Sequence, residues 1–356
     1  MVKSKKFVLI GPFPPPLTGN NIANVEVDAV MESDGWVVRP IDMEIKRGLD
    51  QSIGKVTLYK LAIFKTYLKL HYVFSGNVIY CSIGQSFLGI VKYAPFIILA
   101  TILGKEKIVH LHGNALNSNY LKFSKWQQII SKWLLSRFDK AIVLSESMKA
   151  NFNLFLPMKR VFVCWNFSQT EATKPKDRQH IGINILFLSN LLPAKGIEVF
   201  LDAMDELIAT GHKVKIKIAG VPSTDRLDIL GRIANNKQIE YCGVVAGGKK
   251  SELYDWADVF CMPTLNKLEG QPLVILEALS HGCFIIASNV SGISDVLSSK
   301  NGDLIEPIDE NLIDSILKIL NSPETLVDVE NTNRNYCKNF SQSMFRARFL
   351  DIINSN

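Results

Sequence analysis

The feature that most constrains this chain is a repeated pattern of short, wholly apolar runs separated by longer helical patterns. The first series comprises Lys6–Ile10, Trp36–Ile41, Val78–Ser82, Lys107–His112, Lys140–Leu144 and Arg160–Cys164. The second comprises Asn184–Leu188, Lys213–Ala219, Gln238–Cys242, Val259–Met262 and Phe284–Ser288. Most are apolar at every position instead of alternating. Parallel strands covered by helices on both faces have this composition. Two series predict an α/β chain of two doubly wound, Rossmann-like domains, and 356 residues is the right length for two. The stretch Ser168–His180 holds no large apolar side chain and reads as the linker. The expected division is a first domain over 1–167, a linker over 168–182, a second domain over 183–338 and a final amphipathic helix over 339–356. That helix is marked by Phe340, Met344, Phe345, Phe349, Leu350 and Ile353.

Charge divides with the domains. Residues 1–180 carry 24 Lys+Arg and 12 Asp+Glu, and residues 181–356 carry 16 and 22. A basic half joined to an acidic half suggests different partners for the two. The basic start Met1–Lys6 precedes only four apolar residues before Gly11-Pro12, too few for a signal peptide. The longest apolar run, Ala94–Leu103, is far short of a spanning helix. It reads as a core helix, with interfacial membrane contact as the other reading. Cys81, Cys164, Cys242, Cys261, Cys283 and Cys337 have no metal-knuckle spacing. They read as small core residues of a chain in a reducing compartment, so a cytoplasmic location is expected.

In open α/β sheets, ligands bind beyond the carboxyl ends of the strands, so the loops there are where chemistry is expected. Gly11–Asn21 follows the first strand, holds four prolines and precedes a helix expected near Ile22. Gly19 and Asn20 would offer backbone N–H groups to an anion at that helix start. A rigid turn is the alternative. The loop lacks the Gly-x-Gly-x-x-Gly fingerprint of a dinucleotide cofactor. His110 and His112 share a face at the end of a strand, either reaching into a site or serving as structural residues. Metal binding would need a third ligand, and none is nearby. Lys195-Gly196 opens a helix over Ile197–Ala209, where a lysine and a helix dipole could meet a phosphate. Otherwise Lys195 is a solvated surface residue. The most specific element is Glu269-Gly270-Gln271-Pro272-Leu273-Val274-Ile275-Leu276-Glu277, two glutamates eight residues apart across a turn and a helix start. A carboxylate so placed can accept from vicinal sugar hydroxyls, with exposed N–H groups facing the same space.

With the following Ser280–Gly292, this stretch resembles the retaining nucleotide-sugar glycosyltransferases of family 4, which have the GT-B fold. Gly11–Asn21, His110-Leu111-His112-Gly113, Lys195-Gly196, Ile218-Ala219-Gly220 and Tyr241-Cys242-Gly243-Val244 fall in family order. The resemblance implies two domains facing across a cleft, with the last helix crossing back to the first. It implies that Glu277 binds ribose hydroxyls and that Glu269 contacts the donor sugar with the Gly270–Leu273 amides. It further implies that Lys195 neutralises the diphosphate and that Gly19 admits it from the other domain. His112 would be the catalytic histidine beside the sugar, with His110 as second choice. The resemblance also places Gly220, Val244, Gln271, Pro272, Leu273 and Val274 on the donor side. Thr18, Asn20 and His110 fall on the acceptor side. Where the family has an arginine, this chain has Asn190, which carries no charge. No Asp-x-Asp follows a strand, so no metal and no cofactor beyond the donor is expected. Front-face displacement is the implied mechanism.

The implied activity is hexosyl transfer to a glycan or a lipid-linked diphosphate sugar, in bacterial surface polysaccharide or glycoconjugate synthesis. The other readings are a GT-B sugar-nucleotide epimerase and a non-catalytic sugar-nucleotide-binding or membrane-adaptor protein. Lys55–Phe74 sets Lys55, Lys60, Lys65 and Lys69 into an apolar, aromatic helical pattern. That suits peripheral contact with an anionic membrane at its inner face, or an ordinary surface helix with snorkelling lysines. No nucleic-acid motif accompanies the charge.

Overall fold

The computed structural model describes residues 5–15, 18–44, 66–170, 175–176, 181–222 and 227–355. It divides into two compact units, Met1–Trp165 with Phe345–Asn356, and Asn166–Met344. Each contains one six-stranded, wholly parallel sheet.

In the first unit the strands are β1 (Lys6–Gly11), β2 (Val37–Asp42), β3 (Val78–Ser82), β4 (Glu106–Leu111), β5 (Lys140–Val143) and β6 (Val161–Val163), in the order β2-β1-β3-β4-β5-β6. The helices are α1 (Gly19–Ser33), α2 (Tyr72–Ser75), α3 (Phe87–Val91), α4 (Ala94–Ile102), α5 (Leu116–Lys122) and α6 (Lys125–Leu135). In the second unit the strands are β7 (Ile183–Leu188), β8 (Val214–Ala219), β9 (Ile239–Tyr241), β10 (Val259–Met262), β11 (Phe284–Ser288) and β12 (Gly302–Ile305), in the order β12-β11-β10-β7-β8-β9. Its helices are α7 (Ile197–Ala209), α8 (Leu227–Asn235), α9 (Gly248–Trp256), α10 (Leu273–Ser280), α11 (Ser291–Ser294), α12 (Asp309–Asn321) and α13 (Thr325–Cys337).

All eleven expected strands are present, and Gly302–Ile305 is a twelfth. This edge strand begins with a glycine at positive φ, and Asp303 and Leu304 are only half-buried. It therefore lacks the apolar run that marks most of the others. The two cores are separate, one gathered on β1, β3 and β4, the other on β7, β8 and β10.

Topology fixes where ligands fit. The chain runs β1 to β2 in one direction and then jumps back to β3, so strand order reverses between β1 and β3. The same reversal lies between β7 and β10. Loops after those strands open onto each sheet's switch point.

The last helix, α14 (Gln342–Asn354), packs within the first unit, as the family resemblance implied. Phe345 and Phe349 are buried, and Phe349 meets Tyr80 edge to face at 5.9 Å. Arg346 binds Glu26 of α1 at 2.7 Å. The buried Lys140 ammonium donates to the carbonyls of Ile352 and Ile353, satisfying the end of the helix. At the expected linker, Ser168 donates its N–H to Phe340, and Lys176 donates to the carbonyls of Tyr254 and Ala257. Both anchors lie in the second unit.

Two sequence expectations need correction. The helix after the first loop begins at Gly19, not near Ile22, because the Thr18 hydroxyl accepts from the Asn21 N–H and caps it. The run Ala94–Leu103 is a one-sided helix instead of a fully buried one. Phe96, Ile97 and Ala100 are buried, but Ile98 and Ile102 face outward. Five cysteines are buried as expected, and Cys242 is half-buried at the end of β9. Lys55, Lys60 and Lys65 lie outside the described residues.

Candidate functional site

The second unit assembles its candidate residues on the switch-point loops. After β7 the chain makes a short turn, Pro193–Lys195, and Gly196 at φ +78° starts α7. A Cβ on Gly196 would stand 1.8 Å from the Pro263 carbonyl oxygen. Only glycine lets this turn lie against the segment after β10. That contact brings Lys195 to Glu269, with Nζ 2.5 Å from Oε1. The same carboxylate oxygen accepts from the Thr264 hydroxyl and the Asn266 amide, each at 3.2 Å. Glu269 is thus fixed by three donors and is only 8% exposed. The lysine expected to face a phosphate is held by the glutamate expected to face a sugar.

Gly292 supports this turn from behind. A Cβ there would meet the Gly270 carbonyl oxygen at 1.6 Å. The small residues after β11 are therefore a packing requirement of the Glu269–Gly270 loop. Pro272 stands at the start of α10, and the backbone N–H groups of Leu273 and Val274 belong to its first turn. Gln271 is buried: its carbonyl oxygen accepts from the Asn166 side chain and its side-chain oxygen from the Asn166 N–H.

One turn into α10 lies Glu277, with no exposed surface. Its Oε2 accepts from the Tyr254 hydroxyl at 2.9 Å and pairs with the Lys250 ammonium at 2.5 Å. Burial, followed by the neighbouring Glu277, pushes the Tyr254 phenol up, so it remains a hydroxyl that donates. Oε1 is buried with no hydrogen-bond partner. A buried carboxylate oxygen without a donor is costly, and a pair of sugar hydroxyls would satisfy it. Lys250 and Tyr254 went unnoticed in the sequence, as did Thr264 and Asn266. The only hint is the i, i+4 spacing that puts Lys250 and Tyr254 on one face of α9.

Asn190 and Val244 stand at the rim of this unit. Both side chains are exposed. Gly220 ties their loops together. Its N–H donates to the Gly243 carbonyl, its carbonyl accepts from the Tyr241 hydroxyl, and a Cβ would meet the Ser189 oxygen at 1.7 Å.

The first unit gathers different chemistry. Thr18 caps α1, Gly19 is its first residue, and the Asn20 side-chain oxygen accepts from Ser82 at the end of β3 at 2.6 Å. This bond crosses the β1–β3 switch point. His110 and His112 share a face, as alternation predicted, with ring centroids 4.0 Å apart. His110 is fully buried, and its Nδ1 lies 2.5 Å from the Tyr80 hydroxyl. Its Nε2 and both ring nitrogens of His112 are buried without partners. Burial lowers the His112 pKa to about 3 and holds that of His110 well below the ordinary histidine range. Both rings are therefore neutral at physiological pH. A neutral His112 can exchange hydrogen bonds with a substrate but cannot act as a resident cation. Among the described residues, no group of three His, Cys, Asp or Glu side chains could hold a metal ion.

Residues 182–322 match the family described as glycosyl transferases group 1. A phosphatidyl-myo-inositol mannosyltransferase of Mycolicibacterium smegmatis is 30% identical over 131 residues, 36% of this chain and 33% of that one. A lipopolysaccharide 1,2-N-acetylglucosaminetransferase of Salmonella typhimurium is 28% identical over 202 residues, 51% of this chain and 52% of that one. The matched stretch thus spans between a third and about half of the length of these two relatives. Among solved structures, HepE of Anabaena, in complex with UDP and glucose, superposes with a TM-score of 0.73 at 16% identity, covering 99% of this chain and 100% of that one. Sucrose-phosphate synthase of Thermosynechococcus elongatus gives a TM-score of 0.74 at 16% identity, covering 98% of each. Those identities speak for the fold alone, and the fold is GT-B. The matched residues 182–322 contain the Glu269–Gly292 stretch and are similar to the group 1 glycosyl transferases, and the two-sheet architecture of the whole chain is that of the GT-B fold.

Proposed function

We propose that this chain is a retaining glycosyltransferase. It takes a hexosyl group from a nucleoside-diphosphate sugar and passes it to a glycan or lipid-linked acceptor in bacterial surface polysaccharide or glycoconjugate synthesis. The observation that carries the reading is the fixed, buried Glu277 with one unsatisfied oxygen, eight residues after the Lys195-bound Glu269. Glu277 receives the ribose hydroxyls, while Tyr254 and Lys250 hold its other oxygen. Cys242–Val244 and Gly220 edge the base. Glu269 and the N–H groups of Gly270–Val274 contact the sugar and phosphates, together with Gln271 and Pro272. Lys195 exchanges its Glu269 partner for the diphosphate. Gly19 leaves the backbone of α1's first turn open to an anionic group. Asn190 contributes a neutral hydrogen bond, so Lys195 and helix N-termini carry most of the charge stabilisation without a metal cofactor.

On the acceptor side we assign Thr18, Asn20 and His110, with His112 beside the reacting carbon. The bond from the anomeric carbon to the diphosphate oxygen breaks, and the bond to the acceptor oxygen forms on the same face. The acceptor's proton passes to the departing phosphate. The relatives named above act on lipid and lipopolysaccharide acceptors by their names, which supports an acceptor of this kind. Our reading has a lipid-linked acceptor met at the inner face of the membrane from the cytoplasm; among the described residues no helix is long and apolar enough to cross a membrane.

Nucleotide release from candidate donors, with and without a lipid-linked diphosphate sugar, tests the reading. Acceptor-dependent release with the anomeric configuration kept is the expected result. Donor isomerised without acceptor would identify an epimerase. Binding without turnover would identify a silent sugar-nucleotide-binding protein.

A further inference from the structure

Helix α6 has two apolar faces where a surface helix needs one. Ser131, Leu134 and Leu135 are buried against the domain. Trp126, Ile129, Ile130 and Trp133, spaced three and four residues apart, form a second row that points outward. Their exposures are 57%, 70%, 39% and 44%. The patch extends onto α3, where Phe87 meets the Trp126 ring edge to face at 5.0 Å and its neighbour Leu88 is 68% exposed. A contiguous outward row of tryptophan and isoleucine is unusual for a water-facing surface and marks a contact site.

Charge identifies the contact. Lys122, Lys125 and Lys132 border the row and are exposed, and the Arg137 guanidinium stacks over Trp133 at 3.6 Å. Residues 116–138, which include α5 and α6, hold no acidic side chain against Lys122, Lys125, Lys132 and Arg137. A protein partner with a mixed surface would not call for so one-sided a border. A sheet of anionic headgroups over an apolar interior matches both the tryptophans and the lysines.

We propose that α6 with the adjoining Leu88 is a membrane-docking surface for anionic lipid bilayers. Trp126, Ile129, Ile130 and Trp133 enter the headgroup–acyl boundary, and Lys122, Lys125 and Lys132 meet the lipid phosphates. This surface stands apart from the residues assigned to donor and acceptor chemistry, so docking is expected whether or not the proposed transfer is correct.

The test is flotation of the full chain with vesicles of phosphatidylcholine alone and of phosphatidylcholine mixed with phosphatidylglycerol. Wild type is expected to float with the mixed vesicles and far less with the neutral ones. A Trp126→Ser, Ile129→Ser, Trp133→Ser variant is expected to stay in solution with both. A Lys122→Gln, Lys125→Gln, Lys132→Gln variant should lose about fivefold in affinity per removed charge on anionic vesicles, with neutral binding unchanged. Unchanged thermal unfolding of both variants shows that the fold is kept, and donor-dependent thermal shifts follow the transferase reading separately. Equal wild-type flotation with both vesicle types overturns the proposal, as does flotation of the serine variant at the wild-type level. A wild-type dimer that the serine variant dissociates, with no vesicle binding by either, assigns the patch to a second copy of the chain and also overturns it.

Discussion

The two units share a fold and a place for chemistry, yet furnish that place in opposite ways. In the acidic second unit the switch-point loops carry ion pairs: Lys195 with Glu269, and on α9 and α10 Lys250 with Glu277. In the basic first unit the corresponding loops are neutral: Asn20 with Ser82, Tyr80 with His110, and an uncharged His112. The sign of a domain's net charge therefore says little about the charge of its site. In sequence the first unit's excess of lysine falls largely between Asp50 and Asp139, whereas in the second unit Lys195 and Lys250 are held by the carboxylates of Glu269 and Glu277. The proposed function gives electrostatic work to the second unit and hydrogen-bonded positioning to the first.

Removing Lys195 should break this contrast most. Lys195→Ala is expected to lower kcat by roughly 10²–10³-fold, the range for losing one preorganised stabiliser of developing charge, with a smaller change in KM. Steady-state kinetics decide it, and wild-type turnover would move the electrostatic role elsewhere. Glu277→Gln should come next, raising donor KM about 10- to 100-fold, the scale of losing hydrogen bonds to a charged group. It keeps the side-chain volume while leaving Lys250 without a carboxylate.

Gly292→Ala tests the scaffold. With the Gly270 carbonyl 1.6 Å from the added carbon, the loop must move, at a cost of about 1–3 kcal/mol, visible as a lower Tm. A change of donor KM should accompany it, because the loop that moves carries Glu269.

The neutral side of the contrast is tested by pH. The folded His112 has a pKa near 3, whereas an unfolded histidine titrates near 6.5. Between those values the unfolded chain holds a proton that the folded chain does not. This group's contribution to stability is therefore complete above about pH 6.5 and is lost as pH falls toward 3. His110, shifted in the same direction, adds to the slope. Denaturant unfolding of wild type and His112→Gln at several pH values should show a shallower loss in the variant across that window. Ser82→Ala should have the smallest effect, about 1 kcal/mol of stability from the lost bond to Asn20.

Much of this was legible in the sequence because the burial was uniform. A strand covered on both faces, such as Phe284–Ser288, must be apolar throughout, and every such run was found. The edge strand Gly302–Ile305 escaped because its half-open position tolerates aspartate. The glutamate pair and Lys195 were visible as residues, but not their contacts. That Lys195 binds Glu269 depends on Gly196 packing on Pro263, across more than sixty residues of chain. Lys250 and Tyr254 were hidden for the same reason: nothing local on α9 says that it faces the buried oxygen of Glu277. The neutrality of His112 depends on tertiary burial and leaves no trace in its neighbours.

The central claim is that the second unit holds a nucleoside-diphosphate sugar through Glu277. Its most direct test is the thermal shift of wild type, Glu277→Gln and His112→Gln against UDP-, GDP-, ADP- and CMP-sugars, because a ligand that binds only the folded chain raises Tm. The account predicts that one nucleotide class stabilises wild type and His112→Gln alike and stabilises Glu277→Gln far less. Equal stabilisation of wild type and Glu277→Gln would contradict it.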